Sequence, residues 1–126
     1  MMLLLLVMLA GAVGVALRYG LGALITERLG DGFPWSTLIV NVTGAFAMGV
    51  LIAALESTGL SGEVVRPTIG IGLLGGYTTF SAFALDAVSL AEDGRIGRAA
   101  TYVVATNVVG IAALVAGLAG GRGVLE

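Results

Sequence analysis

Apolar residues run through this chain in four blocks, and charged residues gather almost entirely between them. The first block is Leu3 to Ile25, interrupted only by Arg18. The second is Trp35 to Leu55, bounded by Asp31 and Glu56. The third is Thr68 to Leu90, and the fourth is Ala99 to Leu118. Each meets the length of a membrane-crossing helix, about 20 mostly apolar residues. The connections Thr26–Pro34, Glu56–Pro67 and Ala91–Arg98 are short, so neighbouring spans alternate in direction and both termini fall on one side. The pattern predicts an all-α integral membrane protein, one four-span transmembrane domain over residues 1–126. It leaves no room for a soluble domain, and the halves show no clear repeat. Met1 to Leu9 followed by Ala10-Gly11-Ala12 imitates a secretory leader. No positive residue precedes it, however, and the apolar pattern continues to Leu24, so it reads as the first span.

The third block breaks the pattern at its middle with Gly75-Gly76-Tyr77-Thr78-Thr79-Phe80-Ser81-Ala82-Phe83. Paired glycines and hydroxyls are tolerated at membrane depth where backbone is buried in protein or lines a cavity. The expectation is a third helix in two pieces, whose unwound turn aims carbonyl oxygens at a cation. The alternative is a kink filled by Ser/Thr back-bonding.

Composition narrows the picture. The chain is 58% hydrophobic and 11% charged, which excludes an ordinary soluble domain. It has no lysine, cysteine or histidine, so disulfides, thiol catalysis, the usual zinc sites and a Ser-His-Asp triad are excluded. No basic patch points to nucleic acid. Topology follows excess Lys/Arg in cytoplasmic loops. Here Arg66, Arg122 and the α-amino group on one side face Arg28, Arg95 and Arg98 on the other. Such a balance fits either a weak bias set by finer details or insertion in both orientations, giving an antiparallel homodimer. A dimer also follows from size, since four thin helices do not easily enclose a polar path. The pairs Gly72/Gly76, Ala45/Gly49 and Ala113/Gly117 are four apart, the spacing of close helix contacts.

Few side chains carry candidate chemistry. Asn41 is the one strongly polar side chain in the middle of the second span, either an interhelical tie or an anion-facing donor. Phe80 and Phe83 share a helix face beside Thr79 and Ser81. Either they pack, or they turn positive ring edges toward an anion. Arg18 lies within the first span, where a charge faces the interior, water or a partner. Asp86 belongs either to the mouth of a vestibule or to a local network. Trp35 reads as an interface anchor. Thr101, Tyr102, Thr106 and Asn107 are polar positions on the fourth span; Tyr102 and Thr106 form a ladder along a pore or bonds between helices.

Three stretches together resemble a known family: Gly11-Ala12-Val13-Gly14-Val15-Ala16-Leu17-Arg18-Tyr19, Ser36-Thr37-Leu38-Ile39-Val40-Asn41-Val42-Thr43-Gly44, and the Gly75 to Phe83 run. The chain is similar over essentially its whole length to the small dual-topology fluoride channels, the CrcB or Fluc family. The resemblance implies passive fluoride export across the plasma membrane by an antiparallel dimer. It implies an anion pathway at Asn41, Phe80 and Phe83 with Ser81 nearby, and Tyr102 and Thr106 match the start of a polar track; Arg18, at a matching place, either attracts the anion or has a structural role. It implies a sodium ion at the dimer axis, held by backbone carbonyls of Gly75 and Thr78. Ala82, Gly110 and Asp86 depart from the family's frequent Thr or Ser, Ser and Glu.

Two other readings compete. A small proton-coupled multidrug transporter needs a carboxylate deep in its first span, and no acid precedes Glu27 here. A non-transporting accessory membrane protein gives no reason for Asn41 and the Thr-Thr-Phe-Ser core at membrane depth. No nucleophile–base set suggests an enzyme.

Overall fold

A computed structural model describes residues 1–60 and 62–125. Helix α1 is Met2–Leu29 and α2 is Trp35–Thr58. The third crossing begins with the short α3, Gly62–Val65, which runs into a π-helical segment, Arg66–Leu74, and then α4, Gly75–Tyr77. Two extended residues, Thr78 and Thr79, separate this from α5, Phe80–Glu92. Helix α6, Ile96–Leu125, completes the fold. Four stretches, Met2–Leu29, Trp35–Thr58, Gly62–Glu92 and Ile96–Leu125, are long and apolar enough to cross a membrane. The predicted four spans and the broken third helix are therefore both present, with each helix longer than its apolar block.

The π-helical segment has a local cause. Pro67 has no N–H and crowds the carbonyl four residues earlier, so α-helical winding is interrupted there. The Gly75 N–H accordingly reaches back five residues to the Gly70 carbonyl. Long π-helical runs are rare and concentrate at functional sites.

Small residues set the packing. A Cβ added at Gly72 would stand 2.7 Å from the Val7 carbonyl oxygen, and one at Gly76 would stand 2.5 Å from that of Gly11. These two positions bring the third crossing against α1. Likewise a Cβ at Gly49 would collide with the Leu114 carbonyl, and one at Gly117 with the Phe46 carbonyl, so α2 and α6 pack backbone to backbone. Close approach through small residues is how helices associate where lipid removes the hydrophobic drive between them. Ties of opposite character close the two ends. Arg122 grips Glu56 through Nε–Oε2 at 2.8 Å and Nη2–Oε1 at 2.9 Å. At the other end, Arg95 and Arg98 both donate to the Gly32 carbonyl.

Buried apolar side chains are few and small in total: Phe83, Leu90, Ala99 and Tyr102 form one cluster, with Phe33 and Leu38 packed on it. Most large apolar residues instead face outward along the helices. That distribution suits a lipid solvent and needs no aqueous core.

Candidate functional site

The site is the break between α4 and α5, and α2 holds it in place. Asn41 and Gly44 lie three apart on α2 and so share a face. Gly44 admits the break, because a Cβ there would run into the Thr78 Cγ2. Asn41 then fastens it. Its Nδ2 donates to the Thr79 carbonyl at 2.9 Å, and its Oδ1 accepts from the Thr79 N–H at 2.7 Å. This two-point amide pairing satisfies backbone groups that the interrupted helix leaves without partners. A side-chain amide carries two N–H donors, so one remains for another acceptor.

Further side chains finish the turn. Thr78 Oγ1 and the Thr78 N–H both donate to the Leu74 carbonyl, each at 2.9 Å. Thr79 is the N-cap of α5, its Oγ1 accepting from the Ala82 N–H at 3.2 Å. Arg18 reaches across from α1 and donates through Nε to the Gly76 carbonyl at 3.2 Å. This lays a positive charge at the C-terminal, partly negative end of α4.

Two cavities meet at this turn. One, of about 390 Å³, is lined by Asn41, Leu74, Gly75, Thr78, Thr79, Phe80, Phe83, Thr106 and Asn107 among others. The second, of about 620 Å³, is lined by Arg18, Tyr19, Glu27, Ser36, Thr37, Thr79 and Ala82 among others. Thr79 lines both and so stands between them. The Thr106 Oγ1 is buried without a hydrogen-bond partner among the described residues, on the wall of the smaller cavity.

The sequence-predicted residues divide into groups. Asn41, Phe80, Phe83, Thr106, Gly75 and Thr78 share the smaller cavity. Arg18 lines the other and is tied to the break by its bond to the Gly76 carbonyl. Phe80 and Phe83 have ring centroids 5.6 Å apart at 54°, but their surroundings differ: Phe83 is buried and Phe80 is 79% exposed. Ser81 lines neither cavity; its Oγ lies 3.3 Å from the Thr79 Oγ1. Tyr102 is fully buried, tilted against Phe83 at 5.2 Å and edge-on to Phe33 at 5.6 Å, and its hydroxyl donates to Asp86 at 3.2 Å. Asp86 thus takes part in a local network with Tyr102. The Tyr102–Thr106 ladder is divided, since only Thr106 reaches a cavity wall.

Three contributors lay outside the expected set. Ser36 and Thr37 line the larger cavity one turn before Asn41. Their spacing of five and four from Asn41 was a readable signal. Thr43 bonds the Tyr77 hydroxyl at 2.9 Å and bridges α2 to α4. Nothing in the spacing of Thr43 and Tyr77 announces that contact.

Comparison with known proteins agrees with this architecture. The family model "CrcB-like protein, Camphor Resistance (CrcB)" matches residues 5–118. A protein of Paracoccus denitrificans named fluoride-specific ion channel FluC is 49% identical over 117 residues, covering 93% of this chain and 92% of its own length. Proteins of the same name from Sphingopyxis alaskensis and Thermus thermophilus are 46% and 45% identical, covering 89% and 85% of this chain and the same shares of their own. With its four crossings, its broken third helix and matches of this extent, the chain belongs to the CrcB family.

Proposed function

We propose that this protein is a fluoride channel that lets fluoride leave the cytoplasm passively through the plasma membrane. The observation that carries the proposal is the pinned break itself. Asn41, with one amide N–H beyond its bond to Thr79, the Phe80 and Phe83 rings and the Thr106 hydroxyl, unpartnered among the described residues, line one groove that lies open on the single chain. A strongly hydrated anion entering a narrow path must replace lost water contacts, because an unpaired charge in low dielectric is very costly. Weak donors and ring edges provide replacement without a fixed charge that would trap the ion. The N-terminus of α5, whose first N–H groups carry partial positive charge, adds to the attraction. The Arg18 guanidinium on the adjoining cavity attracts anions toward the break. Ser81 offers a hydroxyl near the cap of α5, and Tyr102 holds Phe83 in place.

The working unit is an antiparallel homodimer, inserted in both orientations. Phe80, a wholly apolar ring at the polar turn, is 79% exposed on the single chain, and a second copy is what covers it. The nearly even distribution of arginines favours neither orientation. A sodium ion at the dimer axis is held by Gly75 and Thr78 carbonyls from each copy. Both residues line the cavity, and carbonyl oxygens suit a hard cation. Two oxygens from one chain make a partial shell, so the second copy completes it. The bound ion supplies positive charge near the anion path, and no covalent catalyst is required.

Growth tests the function in vivo. Bacteria lacking their own fluoride exporter should grow in otherwise inhibitory fluoride when they express this chain. Failure to grow, with the protein present in the membrane, contradicts the proposal.

A further inference from the structure

We infer that Asn41 and Thr79 are positioning residues for the cation: they take the two backbone N–H groups that a continuous helix would aim at Gly75 and Thr78, and so leave those carbonyls free to coordinate. The inference rests on the sodium reading above. It assigns the choice of ligands to specific side chains, and it gives Asn41 a task separate from contact with the anion.

In an α-helix each N–H bonds the carbonyl four residues earlier. The donor due to Gly75 is the Thr79 N–H, which instead bonds Asn41 Oδ1 at 2.7 Å. The donor due to Thr78 is the Ala82 N–H, which instead bonds Thr79 Oγ1 at 3.2 Å. The intervening Gly76 carbonyl, which could compete for a cation, accepts from Arg18 Nε at 3.2 Å. The Leu74 carbonyl on the other flank is doubly engaged by Thr78, through N–H and Oγ1, both at 2.9 Å. Substitution of side-chain acceptors at two points, and of a guanidinium donor at a third, thus sorts the carbonyls of one turn. Gly75 and Thr78 are stripped of their helical donors; Leu74 and Gly76, which flank Gly75, are occupied, as is the Thr79 carbonyl beyond Thr78, which leaves Tyr77 as the one other carbonyl of the turn without a donor among the described residues. Thr79 is fixed at the same time by the Asn41 Nδ2 on its carbonyl, so the sorting is rigid.

One consequence is a coupling. The amide that frees the Gly75 carbonyl belongs to a side chain that also lines the anion cavity and has one N–H beyond its bond to Thr79. A movement of Asn41 toward an anion therefore disturbs the Thr79 bond and the cation ligand behind it.

Melting temperature in detergent tests this, with sodium chloride titrated against N-methylglucamine chloride at constant total salt. A ligand bound by the folded form raises the melting temperature with its concentration. Wild type should show a sodium-specific rise. Asn41→Ala should need about tenfold more sodium for half of that rise, the scale of one lost contact to a charged group. Asn41→Asp retains an acceptor for the Thr79 N–H and should keep the wild-type half-point or lower it. Thr79→Val, which removes the Oγ1 at constant shape, should weaken sodium as Asn41→Ala does. It carries the test alone if Asn41→Ala does not fold. A purely packing role for Asn41 would lower all melting temperatures equally in both salts and leave the half-point in place. An unchanged half-point in Asn41→Ala or in Thr79→Val overturns the inference while the sodium site stands. Absence of any sodium-specific rise in wild type removes the sodium site itself, and the inference with it.

Discussion

At the residue scale, the two phenylalanines separate a path role from a packing role. Phe83 is buried against Tyr102 at 5.2 Å and against Phe80 at 5.6 Å, whereas Phe80 is mostly exposed on the single chain. Phe80→Ile should leave the melting temperature of the monomeric fold nearly unchanged while fluoride flux falls sharply, because bulk remains and the ring quadrupole is lost. Phe83→Ile should also reduce flux, and should cost about 1 kcal/mol or more of stability through its lost ring contacts. Flux through reconstituted variants, paired with thermal melts, reads both; wild-type flux in Phe80→Ile would make that ring mere surface. Asn41→Asp adds a negative charge to the cavity and should stop conduction in the same assay. Asn41 was legible in the sequence because no other strongly polar side chain stands in the middle of the second span, but its partner was not. Thr79 is 38 residues away, and the pairing depends on Gly44 admitting the break one turn further along α2. Asp86 was legible only as a choice between two places, since the Tyr102 hydroxyl that bonds it lies on another helix.

At the element scale, α2 is the mould in which the broken third crossing sits. Gly44→Leu would push its side chain into Thr78 and Tyr77, the atoms a Cβ already meets. Overpacking of this kind costs about 1–3 kcal/mol. The variant should melt lower and lose flux, and a variant with wild-type flux would show that the break does not need its seat on α2. A two-piece third helix was foreseeable from its glycines and threonines. The place of the break was less so: Gly75 and Gly76 stay helical, and the extended backbone falls at Thr78 and Thr79, where side-chain oxygens and Asn41 supply the missing bonds. The π-helical run before it was not legible, because Pro67 with Gly70 and Gly72 reads equally as an ordinary kink. The helices also outrun their apolar blocks. Helix α6 continues past Leu118 to Leu125, where Arg122 pairs with Glu56, and hydropathy alone has no means to see beyond the apolar slab.

At the scale of the whole molecule, the account needs two copies meeting at the break. Gly75 is informative here. A Cβ at that position would meet nothing closer than the Gly70 carbonyl at 3.7 Å within one chain, and the residue is exposed. Gly75→Leu should therefore fold as a monomer and fail to dimerise, as read by size in detergent; a normal dimer would remove Gly75 from the axis. Orientation is tested best at Arg28. Arg95 and Arg98 are both engaged with the Gly32 carbonyl, so removing them would loosen a loop as well as shift charge. Arg28→Ser moves the charge balance while sparing that clasp, and it should bias insertion toward one orientation, read by accessibility of a C-terminal tag from each side of the membrane. A wild-type tag reachable from one side only would exclude dual topology. The most direct measurement on the central claim is anion efflux from liposomes holding the purified protein, recorded with fluoride and separately with chloride. The account predicts rapid fluoride loss that Phe80→Ile suppresses, with chloride retained; fluoride retained by the wild-type protein, or chloride lost equally fast, would contradict it.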